Sequence, residues 1–244
     1  MPKVIKIAGY TYDELSDEAK EKAREWFREI CLDYDWWDCI EDDFKEITSL
    51  MGIEVTDTEF DVYNTQGRGA CFIGSFAYKA GMIEAVKSYA PKDKKLHRIA
   101  SALYKVHKSG GYKLYGNISK RSHHYTHKYT VDISVDTEKD DTDVTSEQEN
   151  AIVEIMRDLM DWYFEQLETE YEYRLSDETI AEDIRCNAYL FTSTGQRKYI
   201  LAGADVEDES YGSDANPVLT CINCGNRLDP DQYCDDCAQG GKLT

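Results

Sequence analysis

The chain closes with two short cysteine hooks, Cys221-x2-Cys224 and Cys234-x2-Cys237, nine residues apart in the run CINCGNRLDPDQYCDDC. Two thiolate hooks at this separation can surround one tetrahedral Zn2+. Gly225 follows the second cysteine, where a tight knuckle needs a residue free to take positive φ. Asp229-Pro230-Asp231 reads as the turn between the hooks. A segment this short buries no core of its own, so metal binding would supply its folding energy. Four thiolates leave no open ligand position, which predicts a structural ion and not a catalytic one. Two disulfides or four free thiols are the competing arrangements, and neither explains both hooks.

The remaining chain predicts an α+β fold of antiparallel hairpins packed with several amphipathic helices. Residues 3–9 alternate enough for a first strand. Ser16 caps a helix, with Asp17 and Glu18 in its first turn and Ala19, Ala23, Trp26, Phe27 and Ile30 on its apolar face. From about Asp35, Trp36, Ile40, Phe44, Ile47 and Met51 recur at helical spacing until Gly52. Residues 53–56 and 60–63 then pair with 70–76 across a turn-rich 64–69. Pro91 splits two helices, 81–90 and 93–108. Leu96, Ile99, Leu103 and Val106 line the second; His107 borders that stripe and His97 lies off it. A second hairpin joins 112–120 to 123–136. Thr145 caps a long helix to about Tyr171, with Ile152, Ile155, Leu159, Tyr163, Leu167 and Tyr171 buried. Ser176 caps a shorter helix to about 186, and a last strand starts at AYLF with a return arm from Arg197. The acidic run 203–217 reads as a linker, giving a body over 1–202 and a zinc ribbon over 218–244.

Charge narrows the function. The chain has 48 acidic and 28 basic side chains, a net charge of −20. Such a field repels nucleic acid and anionic membranes and favours a partner protein with a basic surface. Asp38, Glu41, Asp42, Asp43 and Glu46 form an acidic outer surface on the helix after Asp35. With Glu165, Glu168, Glu170 and Glu172 on the long helix, they are the candidate partner contacts. No apolar run approaches the roughly 20 residues of a membrane span, and the N-terminus lacks a signal-peptide core. Cys31, Cys39, Cys71 and Cys186 sit among apolar neighbours and read as buried thiols in a reducing cytoplasm.

Catalytic readings are weaker. His123, Tyr125, His127 and Tyr129 would share one face of a strand, but two histidines four residues apart on a strand lie about 13 Å apart and cannot share a metal without a bulge. Adjacent Asp42 and Asp43 point in different directions on a helix. Gly67 and Gly69 lack the Lys-Ser/Thr step and the following helix of a phosphate-binding loop. Trp26, Trp36, Trp37 and Trp162 sit mostly at core-facing positions. Trp36 and Trp37 cannot both face fully inward, so one of them is a candidate contact.

Two resemblances add to this. The terminal segment resembles small bacterial zinc ribbons of the form CxxCGxxL…(F/Y)CxxC, through Cys221, Cys224, Gly225, Leu228, Tyr233, Cys234 and Cys237. Residues of about 10–195, through YTYDELSDEAKEKAREWFREICLDYDWWDCIEDDFKEI, GIEV, QGRGACFIGSF, AVKSYAPKDKKLHRIA and EQLETEYEYRLSDE, resemble a bacteriophage and prophage family loosely labelled antitoxin-like. Its members usually read QGDGA where Gln66-Gly67-Arg68-Gly69-Ala70 stand here. The resemblance implies a mobile element in a bacterium. The expectation is a phage-encoded, non-enzymatic protein that binds and inhibits a host nucleic-acid-binding or defence protein. The alternatives are a metal-dependent nuclease or hydrolase using the His123/His127 strand, and a transcriptional regulator acting through the ribbon. The ribbon's Asp229, Asp231, Asp235 and Asp236 disfavour direct phosphate contact.

Overall fold

The computed structural model describes residues 8–63, 67–121, 125–138 and 143–198. The first-strand residues 3–7, His123 and His124, the acidic linker and all four ribbon cysteines lie outside the described residues. The fold is α+β, and the chain divides into two compact units. One joins residues 8–31 to 175–198; the other is Leu32–Arg174.

The terminal unit holds α1 (Asp17–Ile30), α6 (Asp177–Cys186) and the two-residue strands β5 (Leu190–Phe191) and β6 (Arg197–Lys198). Its caps are the expected ones. Ser16 Oγ accepts from the Ala19 amide, and Ser176 Oγ accepts from the Thr179 amide. Each satisfies an amide that the first helical turn leaves unpaired. Ala19, Ala23 and Phe27 of α1 and Ile180 and Ile184 of α6 are buried where the two helices pack, and Phe191 is buried with them, its ring 5.9 Å from Trp26. Ile30 departs from the expected face and is exposed, because the helix ends there. Tyr10 pairs with Phe191 as an isolated bridge; residues 8 and 9 are not in a strand.

The central unit is a four-stranded antiparallel sheet in the order β1-β2-β3-β4. Its strands are β1 (Ile53–Asp61), β2 (Gly69–Ala77), β3 (Leu114–Lys120) and β4 (Val131–Thr137). Its helices are α2 (Asp38–Leu50), α3 (Met82–Tyr89), α4 (Lys94–Ser109) and α5 (Ser146–Arg174). The two short strand runs expected over 53–56 and 60–63 merge into one strand that ends at Asp61, with a bulge between Val55 and Asp57. That bulge on edge strand β1, and exposed Asp132 and Asp136 on edge strand β4, discourage pairing with another chain. Gly116 permits a close approach: a Cβ there would stand 2.0 Å from the Ser134 carbonyl and 2.5 Å from the Phe76 ring.

Helices α2 and α5 bury their apolar stripes against the sheet, with α4 alongside α5. Phe44 of α2 stacks on Tyr163 of α5, with ring centroids 4.1 Å apart, and meets Phe72 of β2 at 5.5 Å. Asp93 ties two helices. One oxygen accepts from the Leu96 amide to cap α4, and the other accepts from the Trp162 indole at 2.7 Å. Thr145 and Gln148 exchange bonds at the start of α5 as a capping box. Gly52, at φ +80°, ends α2.

Three expectations are corrected. The apolar stripe of α4 ends on His107, fully buried, while Val106 is only half-buried. Cys39 and Cys186 are exposed, one facing outward early in α2 and the other the last residue of α6; Cys31 and Cys71 are buried as expected. The strand expected over 123–136 begins only at Val131. Residues 125–130 instead form an irregular turn, closed by the Thr130 amide and hydroxyl donating to the His127 carbonyl. Lys128 pairs with Asp161 at 2.5 Å and Arg157 lies over the Tyr129 ring, so α5 pulls this segment out of extended geometry.

Candidate functional site

Of the histidine segment, the described part is residues 125–130, and there His127 is held by its neighbours. His127 Nδ1 accepts from the Tyr129 amide at 3.2 Å, and its ring lies between Tyr125 and Tyr129. Its backbone is packed so closely that a Cβ on Gly69 would meet His127 Cβ at 2.7 Å. Among the described residues, no group of three or more histidine, cysteine or acidic side chains could hold a metal ion. Also among them, no helix is long and apolar enough to cross a membrane.

The terminal unit holds an open cleft of about 600 Å3 lined by Tyr12, Lys20, Arg24, Asp177, Glu178 and Arg185, among others. Its guanidinium groups already have partners. Arg24 donates to the Tyr12 hydroxyl and pairs with Glu21, while Arg185 pairs with Asp13 at 2.9 Å. The Arg24 and Arg28 guanidinium groups hold the Glu21 carboxyl below its usual range.

The candidate contact acids fall into two groups. Glu41 pairs with Lys45, raising that lysine above its usual value. Asp43 accepts from the Tyr89 hydroxyl at 2.5 Å, and the carboxylate pushes that hydroxyl up to about 12. Glu165 pairs with Lys95 at 2.5 Å, Glu168 with Arg68, and Glu170 with Arg174 at 2.6 Å. Arg68 thus answers Glu168 and lies over the Phe164 ring, which gives the arginine of QGRGA an internal task. Exposed Asp38, Asp42, Glu46 and Glu172 take no side-chain bond from another described residue, and the same holds for exposed Asp33 and Asp35. Exposed ion pairs contribute little to stability, about 0–1 kcal/mol each. Their consequence here is that they neutralise four of the nine acids expected to face a partner, three of them on α5.

The tryptophan pair expected to hold one candidate contact lies in a wider group of rings centred on Trp36. This side chain is 6% exposed and anchors a group of rings. Its centroid is 5.7 Å from Trp37, 5.9 Å from Phe60 and 5.8 Å from Tyr171. Trp37 lies 5.4 Å from Phe60, and Tyr63 meets Tyr171 edge-on at 6.1 Å. Of the adjacent tryptophans, Trp36 is the buried one and Trp37 is half-exposed. The repeated alternation of acid and aromatic in DYDWWD was the local signal for it.

Residues 36–177 match a protein family described as a domain of unknown function, DUF8835. No curated protein and no solved structure matches the chain. The matched stretch nearly coincides with the central unit Leu32–Arg174 and covers more than half of the chain. The protein is therefore a member of the DUF8835 family, and its α+β sheet unit is the family's domain.

Proposed function

We propose that this chain is an acidic interaction protein that binds a bacterial or phage protein through that protein's basic surface. The observation that carries the reading is the exposed outer side of α2, where Asp38, Asp42 and Glu46 form no ion pair among the described residues and Lys45, bonded to Glu41, reaches Asp42 only through its field, within a chain of net charge −20. Unpaired carboxylates on a rigid helix attract a cationic surface over nanometre distances and orient its approach. The resemblance to phage and prophage proteins supports a mobile-element setting. The partner is then a host nucleic-acid-binding or defence protein, and occupation of its basic groove inhibits it. Copurification from bacterial lysate, with the retained protein identified, tests this. A basic partner retained at low salt and released at high salt is expected. A partner with an acidic surface, or one whose retention ignores salt, contradicts it.

The terminal segment 218–244 is, on the same proposal, a structural zinc ribbon held by Cys221, Cys224, Cys234 and Cys237. Elemental analysis of the purified chain is expected to give about one zinc per molecule, lost in a Cys221→Ser/Cys234→Ser variant. A metal-free chain carrying two disulfides contradicts the assignment.

A further inference from the structure

Three segments far apart in the chain share one pattern, carboxylates alternating with aromatic rings. They are Asp33-Tyr34-Asp35-Trp36-Trp37-Asp38 before and into α2, Phe60-Asp61-Val62-Tyr63 at the end of β1, and Glu170-Tyr171-Glu172-Tyr173-Arg174 at the end of α5. Folding brings the three together. Trp36 touches the second segment at Phe60 and the third at Tyr171, and Tyr63 closes the circuit by meeting Tyr171. The outer rings remain in water: Tyr34 is 52% exposed, Tyr63 62% and Tyr173 59%. Rings left at the surface by a fold that buries Phe44, Phe72 and Tyr163 completely are available to a ligand.

The chain shows on this surface what such rings accept. The Arg174 guanidinium lies over the Tyr34 ring, 5.5 Å from its centroid. It donates to the Tyr34 hydroxyl and pairs with Glu170. A ring face and an adjacent carboxylate together hold one planar cation. Half-exposed Trp37 and exposed Tyr63 offer further ring faces, and Asp33, Asp35, Asp38 and Glu172 offer carboxylates with no cation of their own among the described residues.

We infer that this surface binds an arginine-bearing segment of the basic partner, whose guanidinium groups stack on Tyr63 and Trp37 while the interleaved carboxylates take their N–H groups. The inference rests on the proposed function and gives that function a site. Arginine fits better than lysine because its planar group can stack and donate at once, whereas an ammonium is a compact, strongly hydrated charge.

A capped peptide of alternating glycine and arginine, with its lysine and citrulline counterparts, is the probe. Each is titrated into the full chain by calorimetry at low and high salt, with tryptophan fluorescence recorded in parallel. The arginine peptide is expected to bind more tightly than the lysine peptide, and the citrulline peptide least. Tyr63→Ser, which changes no charge and removes a ring that is 62% exposed, is expected to weaken the arginine peptide about fivefold or more. The lysine peptide should lose less, and Glu138→Gln, a charge change elsewhere, should match the parent. If Tyr63→Ser and Tyr34→Ser bind the arginine peptide as the parent does, while Asp38→Asn/Asp42→Asn/Glu46→Gln weakens it, the aromatic site is wrong and the acidic reading survives. If the parent binds no peptide at low salt, the site is wrong as well, and the salt response of the natural partner alone judges the broader proposal.

Discussion

Phe44→Ala lowers the unfolding free energy of the central unit by about 4 kcal/mol. The ring is fully buried, stacks on Tyr163 at 4.1 Å and 18°, and meets Phe72 edge-on and Trp162 at 6.4 Å. Those neighbours belong to α5 and β2, so one side chain joins a helix, a sheet and the longest helix of the unit. Truncation removes the transfer free energy of a phenyl ring and leaves a cavity walled by large rings that cannot collapse into it. Two-state chemical denaturation followed by tryptophan fluorescence measures the change. A loss below about 1 kcal/mol would mean that α2 does not dock on the sheet through this ring.

His107 sets the second large effect, and it depends on pH. The ring is fully buried against Phe76 and Tyr78, and neither nitrogen has a hydrogen-bonding partner among the described residues. Burial lowers its pKa from the ordinary 6.5 to about 4. The unfolded chain therefore takes up this proton from about pH 6.5 downward, and the folded chain only near pH 4. Between those values the unfolded state binds more protons, so stability falls as pH falls through the window and is level above it. Across the whole window the loss amounts to about 3 kcal/mol, and by pH 5 to about 2 kcal/mol. His107→Leu removes both orphan nitrogens at similar volume and is expected to flatten the profile in this range. Parent and variant differ by this one group, so carboxylates that titrate lower down, such as Asp132, held below its usual range by Arg121, cancel in the comparison. Identical pH profiles for the two proteins would show that the ring is solvated in solution.

Much of the architecture was legible because local chemistry and tertiary structure agree. Ser16, Thr145 and Ser176 cap where short oxygen-bearing side chains precede apolar stripes, and Gly52 stops α2 where positive φ is needed. The failures share one physical origin, contacts between residues far apart in the chain. Residues 125–130 have strand-favouring composition, but Lys128 and Tyr129 are drawn to Asp161 and Arg157 of α5. His107 and Val106 are equally placed to end the α4 stripe, and only the position of Phe76 and Tyr78 turns the helix toward the histidine. The candidate acids suffered in the same way. Glu168 finds its cation 100 positions away at Arg68, and Glu165 finds Lys95 70 positions away, which no local pattern announces. Each acid–aromatic run is visible in the sequence; their meeting around Trp36 is a product of the fold.

The proposed recognition of a cationic partner rests on the carboxylates of α2 that form no ion pair among the described residues. The most direct test is the association rate with the copurified partner, measured across a range of ionic strength for the parent chain and for Asp38→Asn/Asp42→Asn/Glu46→Gln. The parent rate is expected to fall steeply with added salt, the variant to associate about tenfold more slowly at low salt, and the two to converge at high salt. Equal rates for parent and variant at low salt, with no dependence on ionic strength, would contradict the claim.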